Sequence, residues 1–303
     1  MSRIYEALER AENERKVDAR PEQEAPVQTA VIPPPADGPR LRPGEVFEQI
    51  VRRPWSPVFS ALPTLADSGA VVEQFRGLRS SIYQIRDQIP LKTILISSGM
   101  PADGKTFVAT NLAISLARNS ERPVLLIDAD LRRPAVHSLL GTSESPGLGQ
   151  FLTGNIAVTD MLQRPGEVPV AGEPGARALA NLALIPAGQP GDHAPELAGN
   201  LRIEELIAAV SPHFSWIVID SPPALAVTDA IDLARVSDGV LLVARGAATT
   251  FHTAQRAKAA FNNTRILGFV LNAVKRARHS ESYYYYAGYT AADSSSRHSA
   301  KRG

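Results

Sequence analysis

The chain has 303 residues, of which 44% are hydrophobic and 21% are charged, and this suffices for one large domain or two small ones. Its 32 basic and 31 acidic residues leave a formal charge of +1, which excludes steering onto nucleic acid or anionic lipid by overall charge. The lack of cysteine excludes disulfide scaffolds, thiolate metal sites and cysteine nucleophiles, and it fits a reducing compartment.

The N-terminal region predicts a helix followed by a linker. Residues 1–20 carry apolar side chains on one side of a short helix, and no segment resembles a secretory signal. Residues 21–66 contain ten prolines and few large apolar residues, so we expect a disordered linker there. No apolar run in the sequence approaches the ~18 residues needed to cross a bilayer, and we expect a cytoplasmic protein.

Residues 67–274 form the predicted folded domain. Short runs rich in Val and Ile, typical of strands buried on both faces, occur at 93–96, 124–127, 182–185, 217–219, 240–243 and 266–271. Helix-length segments lie between them, which predicts an α/β fold with a mostly parallel sheet covered by helices on both faces. Residues 275–303 have few aliphatic side chains, a tyrosine run and six basic against two acidic residues. We therefore expect a disordered tail and no specific nucleic-acid partner.

A phosphate-binding loop follows the first of these runs. Residues 99–106 read G-M-P-A-D-G-K-T, which fits the pattern G-x-x-x-x-G-K-[ST] between a predicted strand and a predicted helix. The backbone N–H groups of such a loop and the helix N-terminus bind phosphate oxygens. Lys105 would reach the β- and γ-phosphates of ATP, and Thr106 would ligate Mg²⁺. The nucleotide-binding residues predicted in this segment are Gly99, Asp103, Gly104, Lys105, Thr106 and Phe107.

Three acidic residues follow two later strands. Asp128 and Asp130 come after the run at 124–127, and Asp220 comes after the run at 217–219. The carboxyl ends of parallel strands face one ligand crevice, where these carboxylates can approach a metal and the γ-phosphate. A single aspartate in this position is more often a turn or helix cap. Three of them beside a phosphate loop favour a metal-binding and catalytic role.

These motifs together resemble those of the bacterial tyrosine autokinases of exopolysaccharide and capsule loci, the BY-kinases. The matching segments are the phosphate loop, I-D-A-D-L-R at 127–132, D-S-P-P at 220–223, E-x-x-R-x-x-R at 73–79 and the tyrosine-rich stretch at 282–289. The resemblance covers about residues 67–290 and implies a P-loop NTPase fold of the MinD/ParA type. The opening M-S-R-I-Y-E-A-L-E-R-A-E is also similar to stand-alone members in exosortase-linked polysaccharide loci.

The resemblance implies a non-specific protein-tyrosine kinase that uses ATP and Mg²⁺. Asp128 would be the base for the attacking tyrosine hydroxyl, although spacing alone does not decide whether Asp128 or Asp130 has this role. Asp130 would help to organise the metal and its waters, and the implied metal ligands are Thr106, Asp128 and Asp220. Lys105 completes the implied catalytic set.

The remaining implied roles lie outside this centre. Arg132 and Asn272 would contact the nucleotide, with Asn272 near the adenine unless it makes a strand-end turn. The implied phosphoacceptors are Tyr283, Tyr284, Tyr285, Tyr286 and Tyr289, and the implied oligomerisation residues are Glu73, Arg76 and Arg79. The resemblance further implies a homo-oligomeric ring, a separate transmembrane polysaccharide co-polymerase as activator, and a tyrosine phosphatase. The activator would recruit the kinase to the inner face of the plasma membrane, where autophosphorylation in trans regulates polysaccharide polymerisation and export.

Two other functions stay open. A MinD/ParA-type ATPase switch has nearly the same fold and strand-end acids, but it carries a second lysine early in the loop, where this chain has Met100. The other alternative is a non-catalytic assembly subunit. Against it stand the intact residues Lys105, Thr106, Asp128, Asp130 and Asp220.

Overall fold

The computed structural model describes residues 47–166, 175–189 and 201–274. The predicted N-terminal helix, most of the predicted linker and the tyrosine-rich tail lie outside these residues. Among the described residues, no helix is both long enough and apolar enough to cross a membrane.

The described residues contain one eight-stranded sheet. Its strands are β1 (Val51–Arg53), β2 (Thr93–Ser98), β3 (Val124–Asp128), β4 (Gln163–Pro165), β5 (Leu182–Ile185), β6 (Trp216–Asp220), β7 (Gly239–Arg245) and β8 (Ile266–Asn272). Their spatial order is β1-β4-β5-β3-β6-β2-β7-β8, and every neighbouring pair is parallel except β4 with β5. Strands β2, β3, β5 and β6 are buried along their whole length, as their uninterrupted apolar sequences predict.

Helices cover both faces of this sheet. They are α1 (Ala70–Gln88), α2 (Lys105–Asn119), α3 (Val136–Leu140), α4 (Leu148–Leu152), α5 (Val158–Met161), α6 (Ala176–Ala180), α7 (Leu201–Val210), α8 (Asp229–Arg235) and α9 (Phe251–Ala260). Successive strand residues point to opposite faces, so Ile94 packs with Leu112 of α2 while Leu95 packs in a second cluster with Leu206 of α7. The predicted α/β fold, mostly parallel and covered on both faces, is confirmed.

The segment 47–66 differs from its prediction. Its proline content predicts a disordered linker, but β1 pairs with β4 at the edge of the sheet, and Leu62 and Leu65 are completely buried. The prolines do not prevent order here, because Pro63 occupies the first position of a 3₁₀ helix, where its missing N–H costs no hydrogen bond.

Residues of α2 hold this segment in place. The Arg118 guanidinium donates to the carbonyl oxygens of Thr64, Leu65 and Ala66 at 2.9–3.0 Å. The Asn111 side chain accepts from the hydroxyl of Thr64 at 2.7 Å and from its backbone N–H at 3.2 Å. The linker prediction is therefore wrong for residues 47–66, because the apolar residues between their prolines, such as Trp55, Leu62 and Leu65, are buried in the core.

Candidate active site

The phosphate-binding motif forms a loop between β2 and α2, as its sequence predicts. Gly104 is the residue before α2 and has φ 93°, a left-handed conformation that favours glycine. A β-carbon at this position would collide with the side-chain nitrogen of Asn272, so the loop also needs glycine for space. Lys105 and Thr106 are the first two residues of α2 and lie at the N-terminus of a 15-residue helix.

The structure brings the predicted catalytic residues together at the carboxyl edge of the sheet. Asp128 ends β3 and Asp220 ends β6, and the two residues are direct partners in the register of these neighbouring strands. Asp130 follows two residues after Asp128, and its carboxylate accepts a hydrogen bond from the Lys105 ammonium at 2.6 Å. All three carboxylates are buried. One largely buried cation and three buried acids therefore share a single site.

Asp128 accepts backbone hydrogen bonds through both of its carboxylate oxygens. Its Oδ2 accepts the N–H groups of Ala135 and Val136 at 3.1 and 3.0 Å, where α3 begins, and its Oδ1 accepts the Asp130 N–H at 3.3 Å. Burial and the neighbouring Asp220 raise the pKa of Asp128 to about 8, although the two backbone N–H groups act in the opposite direction. Asp128 thus caps a helix and also has a carboxyl group that can exchange a proton near neutral pH.

Asp220 is fully buried, and neither of its carboxylate oxygens has a hydrogen-bond partner among the described residues. Burial raises its pKa to about 6, while Lys105 and the nearby Thr106 hydroxyl, which does not reach hydrogen-bond geometry, lower it. A buried carboxylate without a partner, beside a threonine hydroxyl, fits a magnesium site. The described residues include no cluster of three or more His, Cys, Asp or Glu side chains that could hold a metal. Mg²⁺ usually takes one or two carboxylates and completes its shell with phosphates and water.

Lys105 remains a cation in this setting. Burial lowers the pKa of its ammonium, but the carboxylates of Asp220, Asp130 and Asp128 together raise it above the ordinary value. The side chains of Lys105 and Asp130 are 12% and 3% exposed, so this ion pair is largely shielded from solvent. The site therefore holds a positive charge beside the loop that would receive phosphates.

The other predicted nucleotide-binding residues have partners at the rim of the site. The Arg132 Nε donates to an Asp229 oxygen at 3.3 Å, and the Asn272 amide donates to the backbone oxygen of Asp103 at 3.0 Å. The Phe107 ring packs edge to face against a ring of α1, with centroids 5.9 Å apart, and Gly99 lies against α9. The adenine contact of Asn272 stays a prediction, because its side chain here binds the loop backbone.

Two residues of the site were missed in the sequence. The Thr249 hydroxyl donates to a carboxylate oxygen of Asp103 at 2.6 Å, and the Arg245 guanidinium donates to the Ala102 carbonyl at 3.0 Å. Arg245 is the last residue of β7 and Thr249 follows that strand, and both lie more than 140 residues after the loop. Neither belongs to a recognisable motif, and only the position of β7 next to β2 brings them to the loop.

The structure separates the residues of the predicted oligomerisation motif. Glu73 and Arg76 form an exposed ion pair at 2.9 Å on α1. Arg79 instead donates to the Ser115 carbonyl at 2.9 Å and to its hydroxyl at 3.2 Å, which attaches α1 to α2. Burial lowers the pKa of Arg79. Of the three, Glu73 and Arg76 are the residues whose charges face solvent.

The raised pKa of Asp128 predicts a pH-dependent stability. Between pH 3.8 and about 8 the native protein keeps a proton that the unfolded chain releases, so the free energy of unfolding falls as pH rises. Asparagine keeps the acceptor oxygen and does not titrate. From pH 5 to pH 7, the stability of Asp128→Asn relative to wild type should therefore increase by about 2 kcal/mol. Urea unfolding of the nucleotide-free proteins in EDTA measures this, and a difference that stays constant with pH would contradict the raised pKa.

Comparisons with known proteins agree with this geometry. The CobQ/CobB/MinD/ParA nucleotide binding domain family matches residues 94–288. Tyrosine-protein kinase Wzc of Salmonella typhimurium is 36% identical over 218 residues, which are 71% of this chain and 28% of Wzc. Tyrosine-protein kinase YwqD of Bacillus subtilis is 31% identical over 215 residues, which are 70% of this chain and 85% of YwqD.

A solved structure supports the same relationship. The kinase domain of the Escherichia coli tyrosine kinase Etk is 33% identical, with a TM-score of 0.61, and the match covers 74% of this chain and 84% of that one. The chain thus spans less than a third of Wzc and most of YwqD. The predicted resemblance is confirmed over the folded domain, and the chain belongs to the bacterial tyrosine kinases, a branch of the CobQ/CobB/MinD/ParA nucleotide-binding family.

Proposed function

We propose that the chain transfers the γ-phosphoryl group of ATP to tyrosines in the C-terminal cluster of another copy of itself. The observation that carries this proposal is the convergence of a phosphate loop, a largely buried lysine and three buried carboxylates at one edge of the sheet. The site alone does not distinguish a kinase from an ATPase switch, since the switch needs the same loop and similar acids. The relatives are named tyrosine-protein kinases, and this favours tyrosine as the acceptor of the phosphoryl group.

Each residue of the site has a separate role in binding ATP and Mg²⁺. The loop N–H groups and Lys105 would bind the β- and γ-phosphates, and Thr106 and Asp220 would hold Mg²⁺. When bound, Mg²⁺ would neutralise charge on these phosphates. Asp130 keeps the Lys105 ammonium in place through their 2.6 Å contact. Positioning and charge account for most of the catalysis of phosphoryl transfer, so these residues need not form a covalent bond to the substrate.

The proton of the tyrosine hydroxyl needs an acceptor within hydrogen-bond reach. We assign this role to Asp128, because the Asp130 carboxylate already accepts from Lys105 while Asp128 Oδ1 accepts only a weak backbone hydrogen bond. The phenolic oxygen forms the new bond to the γ-phosphorus, and the bond to the β–γ bridging oxygen breaks. The proton passes to the ionised carboxylate of Asp128, a form that the positive charge of bound Mg²⁺ would favour, and ADP leaves with the bridging oxygen.

The resemblance to BY-kinases extends the proposal to partners and location. The chain would form a ring of identical copies at the inner face of the plasma membrane. There a separate transmembrane polysaccharide co-polymerase would activate it and a tyrosine phosphatase would reverse the reaction. Each phosphate adds about −1.5 to −2 charges, so two would cancel most or all of the net +4 of residues 275–303 and three would reverse it. Autophosphorylation would thus weaken the assembly and regulate exopolysaccharide or capsule export.

Incubation of the purified protein with MgATP, followed by detection of phosphotyrosine, tests this function. The proposal expects phosphotyrosine that depends on both Mg²⁺ and ATP. ATP hydrolysis without phosphotyrosine would instead identify a MinD/ParA-type switch. Absence of both nucleotide binding and turnover would identify a non-catalytic subunit. Either of these results contradicts the kinase proposal.

The exposed pair on α1 predicts a subunit contact. The charges of Glu73 and Arg76 face solvent, where a neighbouring copy can pair with them. The double variant Glu73→Ala with Arg76→Ala should therefore shift the protein toward monomer and reduce transfer between copies severalfold. Light scattering measures the assembly. Arg79 is left unchanged, because its loss would also weaken the packing of α1 on α2.

The chain offers a matched control for this experiment. Asp232 and Arg235 on α8 form another ion pair three residues apart, at 3.3 Å, with the arginine largely exposed. The double variant Asp232→Ala with Arg235→Ala should leave the assembly unchanged. If the α1 variant shows the same mass as wild type, or if both double variants dissociate alike, the α1 pair is not a specific contact.

A further inference from the structure

The phosphate loop contains an acidic residue immediately before its glycine and lysine. A loop of this kind binds anions through backbone N–H groups and positive charge, so a carboxylate facing the ligand would repel ATP. Asp103 nevertheless occupies this position, and it is 4% exposed. The direction of its side chain therefore matters for phosphate binding.

Both carboxylate oxygens of Asp103 have partners other than a ligand. Its Oδ1 accepts the Thr249 hydroxyl at 2.6 Å, and its Oδ2 accepts the Met100 N–H at 3.1 Å. The Thr249 oxygen in turn accepts the Arg245 N–H at 2.8 Å, so this hydroxyl both donates and accepts. Thr249 lies between β7 and α9, outside the phosphate-binding motif.

The same region also engages the backbone oxygens of the loop. The Arg245 guanidinium donates to the Ala102 carbonyl, and the Asn272 amide donates to the Asp103 carbonyl, each at 3.0 Å. Ala102 has φ 65°, which is unfavourable for a residue with a β-carbon and needs support from its surroundings. The ends of β7 and β8 thus stabilise the loop on the side where Thr249 contacts Asp103.

We propose that Thr249 is a positioning residue, which holds the Asp103 carboxylate away from bound phosphates and thereby makes an acidic phosphate loop compatible with ATP. Thr249 touches no phosphate in this account and acts through the charge of Asp103. The proposal rests on the ATP binding proposed above. Thr249 would thus be a determinant of nucleotide affinity that lies outside the phosphate-binding motif.

The test compares binding of MgATP, MgADP and AMP by isothermal titration calorimetry. Thr249→Val keeps the shape and removes the hydroxyl, so MgATP should bind roughly tenfold more weakly. The loss should be smaller for MgADP and smallest for AMP, because repulsion by Asp103 grows with the phosphate charge. Thr249→Ser restores a hydroxyl and should bind MgATP within about twofold of wild type.

A double-mutant cycle separates charge from loop shape. Asp103→Asn removes the charge and should bind MgATP at least as tightly as wild type. Thr249→Val should then cost little in the Asp103→Asn background. Thr250→Val is the matched control, because this neighbouring threonine caps α9 through its hydroxyl and should change stability but leave the MgATP affinity unchanged. Thermal unfolding without nucleotide verifies that each variant is folded.

Several results would overturn the proposal. They are wild-type affinity in Thr249→Val, an equal loss with and without the Asp103 charge, or no restoration by Thr249→Ser. Weaker MgATP binding in Asp103→Asn alone would also contradict it, even if Thr249→Val did not fold. If the wild-type protein itself failed to bind MgATP, the proposed function would fail first, and that outcome is distinct from the others.

Discussion

Replacing Lys105 by methionine is expected to abolish ATP turnover and autophosphorylation. The ammonium is the buried positive charge beside the loop, and its loss removes stabilisation of the charge that moves onto the β–γ bridging oxygen. A loss of at least about a hundredfold is expected for such a group. Phosphotyrosine formed per mole of purified protein measures the effect. Lys258→Met, on the exposed surface of α9, is the control and should retain full activity.

The same substitution carries a structural cost. Lys105 pairs with Asp130 in a buried contact, so Lys105→Met leaves a carboxylate that is 3% exposed without its cation. Breaking a buried pair costs about 3–5 kcal/mol. Adding Asp130→Asn should recover much of this stability without recovering activity. Wild-type phosphotyrosine in folded Lys105→Met would refute the assignment of the site.

Replacing the tyrosine cluster by phenylalanine is expected to remove nearly all phosphotyrosine. The five positions are Tyr283, Tyr284, Tyr285, Tyr286 and Tyr289. They hold five of the seven tyrosines of the chain and lie outside the described residues. ATP binding should stay intact, because none of the proposed nucleotide-binding residues belongs to the cluster, and the assembled state should be favoured. Mass spectrometry of the phosphorylated protein and light scattering measure the two effects.

Tyr83 provides the control for that experiment. Its ring packs edge to face against Trp216, with centroids 5.4 Å apart, so it is part of the packing between α1 and the sheet. Tyr83→Phe should therefore leave the phosphotyrosine content unchanged. A main phosphate on Tyr83 or Tyr5 would contradict the proposed tail mechanism.

The sequence predicted most of the central sheet and the centre of the site. Strands that are buried on both faces have continuous apolar sequences, and the carboxyl ends of such parallel strands meet at one edge of the sheet. For this reason the sequence predicts that Asp128 and Asp220 lie close together, and the register of β3 and β6 confirms it. The loop motif likewise predicted its place between a strand and a helix, because glycine and lysine are required there locally.

Features that depend on distant contacts were not predictable. The pairing of β1 with β4 joins segments more than 100 residues apart, and proline-rich composition concealed it. The E-x-x-R-x-x-R motif implies the same oligomerisation role for Glu73, Arg76 and Arg79, but the hydrogen bonds to Ser115 place Arg79 against α2. Thr249 was missed because a single threonine carries no signal until the strand next to the loop is known.

The fate of the γ-phosphate of ATP tests the central claim most directly. The purified protein, at high concentration to favour transfer between copies, would be incubated with Mg²⁺ and ATP labelled in its γ-phosphate. The label would then be separated into protein-bound tyrosine phosphate and inorganic phosphate. The kinase account predicts label on tyrosine that disappears in Lys105→Met. Label released only as inorganic phosphate, with none on tyrosine, would contradict it.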